Sequence, residues 1–92
     1  MKQCVKIIVT GQVQSLAYKE AIQKQAQKLH IEGTLQDYEE ADILIFACGQ
    51  SGSLDELIDE IYKGTSDVKI RDVIIEPFIN EKNYRGVFRI IG

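Results

Sequence analysis

No run of apolar residues in this 92-residue sequence approaches the roughly 18 that a membrane-spanning helix requires. The opening stretch, "MKQCVKIIVTG", is too polar and too short for a signal peptide. The expectation is a cytoplasmic protein with no membrane attachment. An excess of positive charge is missing as well. Eleven Lys and Arg against 14 Asp and Glu leave a net charge of −3, which argues against a broad basic face and against nucleic acid as a partner. A local cationic pocket survives that exclusion. Cysteine is scarce. Cys4 and Cys48 show neither C-x-x-C nor Cys/His spacing, so no metal site is expected, and the plain expectation for the pair is free thiols, buried or half-buried. Linkers, low-complexity runs and repeats are absent, which leaves a single domain over residues 1–92. A chain of this length buries only about 60–65% of its unfolded surface. It holds one core, with little room for a separate buried cofactor cavity.

What is present is an ordinary globular balance, 45% hydrophobic and 27% charged residues. Its elements follow one another closely. "CVKIIVT" (4–10) is β-branched and alternates as a strand does. "YKEAIQKQAQKLH" (18–30) sets Tyr18, Ala21, Ile22, Ala26 and Leu29 on one helical face, with Gly33 helping to end the helix. "TLQDY" (34–38) and "DILIFAC" (42–48) are two strands joined tightly through Glu39–Ala41. "GQSGS" is a loop from which Ser53 caps a second helix in capping-box register with Glu56. The stripe of that helix is Leu54, Leu57, Ile58, Ile61 and Tyr62, and Gly64 stops it. "VKIRDVIIE" (68–76) is a strand ended by Pro77, "NEKNYRG" a polar turn, and "VFRII" a short last strand.

The order β-α-β-β-α-β, with one extra C-terminal strand, gives two one-sided helices a single sheet to cover. The right-handed crossover rule then favours an α+β, ferredoxin-like two-layer sandwich. On the sheet face away from the helices, Ile8, Leu44 and Phe46 form an apolar strip. That strip is either a surface for a protein partner or a second copy, or is covered by long side chains and the C-terminal segment. Cys4 and Cys48 lie toward the same end of that face, so a close pair is geometrically open to them.

"VTGQVQSLAYKEA" (9–21) joins the first strand to the first helix, a junction at which backbone N–H groups lack internal partners and the helix dipole favours an anion. This segment resembles the acylphosphatase signature, approximately V-x-G-x-V-Q-G-V-G-F-R. Val9, Gly11, Val13 and Gln14 match it, and Tyr18 stands for the Phe. "LHIEGTLQD", "YKGTSDVKIRDVIIE" and "GVFRII" resemble further family segments in the same order, so the resemblance covers nearly the whole chain. It implies hydrolysis of the carboxyl–phosphate bond of acyl phosphates with no metal and no cofactor. Phosphate, free or acyl-bound, is the implied small-molecule partner. The phosphate-binding loop then falls on Gln14, Ser15, Leu16, Ala17 and Tyr18. The family's phosphate-binding Arg falls on Lys19, and its water-positioning Asn falls on Asp37.

The departures gather at that site. Lys19 keeps the charge of Arg but loses its planar fork. Asp37, when ionised, only accepts hydrogen bonds, where Asn also donates. It pairs with Lys19 or acts as a base on the water. Ser15 and Ala17 replace family glycines, and a Cβ there is costly if the backbone needs positive φ. Ser15 is either a hydroxyl donor to the phosphate or a helix cap. The expectation is therefore a degenerate active site with weak or lost activity. The alternative is a non-catalytic module that binds an anion in the loop or a protein on the open sheet face. His30 reads as satisfying the end of the first helix rather than as a ligand. "GQSG" has the G-x-x-G spacing of a KH-domain loop but lacks basic residues and joins the wrong elements. Tyr18 and Tyr62 read as core-edge aromatics.

Overall fold

Among the described residues, seven elements occur in the expected order: β1 (Lys2–Gln12), α1 (Leu16–Lys28), β2 (Glu32–Tyr38), β3 (Asp42–Gln50), α2 (Ser51–Lys63), β4 (Lys69–Pro77) and β5 (Phe88–Ile91). The computed structural model describes residues 2–80 and 82–92, so Glu81 of the expected polar turn lies outside the described residues. The sheet runs β4-β1-β3-β2-β5. All neighbours are antiparallel except β2 and β5, which are parallel. Both helices pack on one face, making the ferredoxin-like two-layer sandwich. Alternation decides which side chains face them. Ile7, Val9, Leu35, Ile43, Ile45, Ala47 and Phe88 meet Tyr18, Ile22 and Ala26 of α1 and Leu54, Leu57 and Ile61 of α2 in one buried cluster. The Tyr18 hydroxyl donates to the Ile61 carbonyl at 2.6 Å, tying the helices together. Burial, with the charge of Glu60 adding to it, raises this phenol far above its ordinary range.

Local details depart from the sequence reading. Helix α1 ends in a Schellman motif: the His30 N–H donates to the Gln27 carbonyl and the Ile31 N–H to the Ala26 carbonyl, with His30 at φ 57. The left-handed position is filled by His30, not by Gly33. Gly33 lies inside β2 at φ 150, where a Cβ would come within 1.8 Å of the Phe46 carbonyl oxygen. Strand β3 stays in register with β1 through Gln50, so α2 starts at Ser51 without an intervening loop. Gln50 is the N-cap residue, no side chain caps this end, and the Ser53–Glu56 box does not form. Tyr62 is exposed rather than part of the buried stripe.

The open face is covered more than its composition suggests. Leu44 is buried, and the Phe46 ring meets Phe78 edge-on with centroids 5.2 Å apart. The segment after β4 thus folds over the strip, leaving Ile74, Ile79 and Ile91 exposed around it. Cys4 and Cys48 are direct cross-strand partners with Cα atoms 4.1 Å apart, and they form a disulfide, not free thiols. Sequence spacing carries no sign of this, because 44 residues separate the two sulfurs. A bridge closing a loop of that size stabilises by about 3–4 kcal/mol in the chain-entropy description. We expect the denatured protein to show no thiol until reduced. A Cys4→Ser/Cys48→Ser variant should lose roughly that stability in guanidinium unfolding, consistent with the loop-closure effect.

Candidate functional site

Strand β1 keeps its pairing with β4 through Gln12 but bulges at Gly11. Its φ of 135 and a Cβ position 2.0 Å from the Lys69 carbonyl oxygen admit only glycine, and the β1–β4 register shifts at the same point. The loop that follows is pinned to the β2–β3 turn. The Gly11 N–H donates to Asp42 Oδ1 at 3.1 Å and the Val13 N–H to the Ala41 carbonyl at 3.0 Å. The Gln14 side-chain amide donates to the carbonyls of Asp42, Glu39 and Tyr38 at 3.0, 3.3 and 3.5 Å. Gln14 is thereby a brace, its side chain spent on the turn. Val13 is fully buried and anchors the loop into the core.

Ser15 caps α1. Its backbone is extended at φ −66, its Oγ accepts from the Tyr18 N–H at 3.3 Å, and its carbonyl accepts from the Lys19 N–H at 3.0 Å. Neither Ser15 nor Ala17 has positive φ, so the backbone strain considered for a Cβ at these positions does not arise. The N–H groups of Gln14, Ser15, Leu16 and Ala17 have no acceptor among the described residues. Leu16 projects into solvent, and Tyr18 turns its ring into the core.

Lys19 lies in the first turn of α1. Asp37 lies near the end of β2, two residues beyond the buried Leu35 and so on the helix-facing side. Lys19 Nζ donates to Asp37 Oδ1 at 2.9 Å, with the lysine side chain 12% exposed and the aspartate 50%. The stem of Lys19 is covered while its head reaches the carboxylate at the surface. The fold therefore brings loop, lysine and aspartate to one end of the sheet, with the cation already matched by an internal anion. His30 sits at the opposite end of α1, away from this constellation.

Sequence reasoning missed Asp67. Its Oδ2 accepts from Ser15 Oγ at 2.5 Å and its Oδ1 from Thr65 Oγ1 at 2.5 Å. With Glu40 it lines a shallow cleft of about 270 Å³ beside the loop. Only the topology, which sets β4 next to β1, carries the residues before β4 to Ser15. No local pattern in the sequence marks it. Among the described residues no group of three or more metal-ligating side chains is found, and no helix is long and apolar enough to cross a membrane.

A two-layer α+β domain with a tethered loop opening its first helix is the class that these elements define. Comparison with known proteins narrows it. The family model "Acylphosphatase" matches residues 5–90. An acylphosphatase from Clostridium acetobutylicum is 33% identical over 85 residues, covering 89% of this chain and 93% of the relative. Among solved structures, an acylphosphatase from Bacillus subtilis superposes with a TM-score of 0.87 at 22% identity, covering both chains fully. One from Coxiella burnetii does so at 0.85 and 24%, covering 98% of this chain and 93% of that one. The chain belongs to the acylphosphatase family.

The Ser15 hydroxyl, and after it that of Thr65, donates to the ionised form of Asp67 and holds its carboxyl below the ordinary carboxylate range. A folded value below the unfolded one means that this group's stabilisation is present above the unfolded pKa of about 3.9 and lost as pH falls through the folded value. A pH titration by carboxyl-carbon NMR should place Asp67 below a free aspartate, and Ser15→Ala should move it back upward.

Proposed function

We propose that residues 1–92 form a single acylphosphatase-type domain whose hydrolytic power is weakened at its own site. In this reading, Lys19 and the loop amides from Gln14 to Tyr18 take the phosphoryl group of an acyl phosphate, and Asp37 lies beside the attacking water. Water oxygen bonds to phosphorus, the P–O bond to the acyl group breaks, and the carboxylate leaves with the electron pair. The water proton passes to solvent or to Asp37. The residues supply position and charge; no metal or cofactor enters.

The observation that carries this reading is the 2.9 Å Lys19–Asp37 pair at the mouth of the loop. An ammonium that holds a carboxylate is a poorer receptor for a phosphoryl oxygen, and a lysine grips that oxygen without a bidentate fork. An ionised carboxylate about 5 Å from one phosphate charge costs roughly 3 kcal/mol at an effective dielectric near 20. That is about two orders of magnitude in rate or affinity, before solvent at the half-exposed Asp37 screens part of it. As a base, Asp37 would offset some of this loss.

The test is hydrolysis of benzoyl phosphate. The wild type is expected to turn over slowly, and Lys19→Arg/Asp37→Asn to gain at least tenfold. Rapid wild-type turnover that Lys19→Ala abolishes and Asp37→Asn does not improve overturns the weakening. If no variant turns over and phosphate shifts no amide between Gln14 and Lys19, the hydrolase reading fails. The domain is then a binding module that works elsewhere.

A further inference from the structure

The open face carries a cleft that the loop chemistry leaves unused. It lies between the β2–β5 pair and the turn before β5, with a volume of about 410 Å³. Lys82, Arg85 and Arg89 line it. In a chain of net charge −3 with three arginines, two of the three face one cleft together with a lysine. None of these cations forms an ion pair among the described residues. A second cleft of about 320 Å³ adjoins it, shares Thr34, Lys82, Tyr84 and Ile91 with it, and adds Phe46, Phe78 and Ile79. Ile79 is 90% exposed, so this apolar wall is uncovered.

The turn that presents Arg85 is braced rather than loose. Arg85 is one of three non-glycine residues at positive φ among those described, at 56. Its N–H donates to Asn83 Oδ1 at 2.8 Å, and the Val87 N–H donates to the Tyr84 carbonyl at 3.1 Å. The next residue, Gly86, donates its N–H to Glu32 Oε2 at 2.9 Å. Glu32 is a buried charged side chain, and it also pairs with Lys2. The nearest carboxylate of β2 on this face is thus engaged with other groups. A disfavoured backbone conformation persists only where its surroundings hold it, and here they hold a guanidinium over a cleft.

We propose that these joined clefts bind a small oxyanion carried on an aryl or short alkyl body. The guanidinium groups of Arg85 and Arg89 take the carboxylate or phosphate head, and the Phe46, Phe78 and Ile91 side packs the body. Charge complementarity selects the head, since planar guanidinium groups match both kinds of oxyanion. The volumes and the mixed apolar and cationic walls suit a small ligand rather than a macromolecule. This site is on the sheet face opposite Lys19 and Asp37 and does not depend on the hydrolase reading.

The experiment is an amide-shift titration of the full ¹⁵N-labelled chain with benzoate, phenyl phosphate, inorganic phosphate and benzyl alcohol. Benzoate or phenyl phosphate should shift Thr34, Val87, Arg89 and Ile91 saturably, and the tighter of the two identifies the head group. Arg85→Gln/Arg89→Gln, checked for a native amide spectrum, should weaken that binding at least tenfold, whereas Lys19→Ala should leave it unchanged. Shifts confined to residues 14–19, no saturation anywhere, or undiminished binding by the double arginine variant would each overturn the proposal. So would inorganic phosphate or benzyl alcohol shifting these same cleft amides at concentrations as low as the amphipathic anions need, since one lacks the body and the other the charge.

Discussion

Gly11 can stand where it does only because it has no Cβ. With the Lys69 carbonyl oxygen 2.0 Å from the position a Cβ would take, the chain has one residue type with which to shift the β1–β4 register at this height in the sheet. The path of everything after it follows. Val13 drops into the core, Gln14 is caught by the carbonyls of the β2–β3 turn, and Ser15 arrives extended, in position to cap α1. The first turn of α1 then holds Lys19 against the end of β2. A helix started one residue earlier or later would rotate by about 100° and present a different side chain to Asp37.

The charges around this loop define its chemistry more than its backbone does. Neither Ser15 nor Ala17 is at positive φ, so the backbone at these two positions does not require glycine. Two carboxylates flank the loop. Asp37 holds the ammonium of Lys19 from one flank, and Asp67 takes the hydroxyl of Ser15 from the other. Each contact satisfies a side-chain donor at the start of α1 from within the chain. The fold gains two hydrogen bonds with charge on one or both partners, each joining segments distant in the chain.

Periodicity made the element order and the inward faces legible, because apolar spacing reports burial directly. Ile7, Val9, Ile43 and Ile45 are at zero exposure, where alternation puts them. The neighbourhood of Lys19 and Asp37 came from the resemblance, which aligns two distant segments on one known architecture. Contacts that depend on tertiary register left no local trace. The Cys4–Cys48 bridge follows from β1–β3 pairing, the Ser15–Asp67 bond from the adjacency of β1 and β4, and the cover over Phe46 from the path of the chain after Pro77. His30 at the end of α1 shows a different limit. A left-handed cap is recognised by glycine, and here Schellman geometry formed around a residue that pays a steric cost for it, while the nearby Gly33 was needed for close strand contact.

That second glycine links the two faces of the molecule. Along β2, Leu35 and Asp37 point toward the helices, and Thr34 and Gln36 point to the open side. A slip of one residue against β3 would exchange them, bringing a neutral side chain to Lys19 and Leu35 out to solvent. The approach of Gly33 to the Phe46 carbonyl, with 1.8 Å left for any Cβ, can be made by glycine alone, and it falls opposite Ala47 in the β2–β3 ladder. Register at Gly33 therefore sets both the electrostatic partner of Lys19 and the wall against which Arg89 stands, since Thr34 pairs with Arg89 across the parallel β5 contact. One backbone contact thus settles what each side of the strand presents, while the chemistry on each side is decided by side chains that do not touch one another.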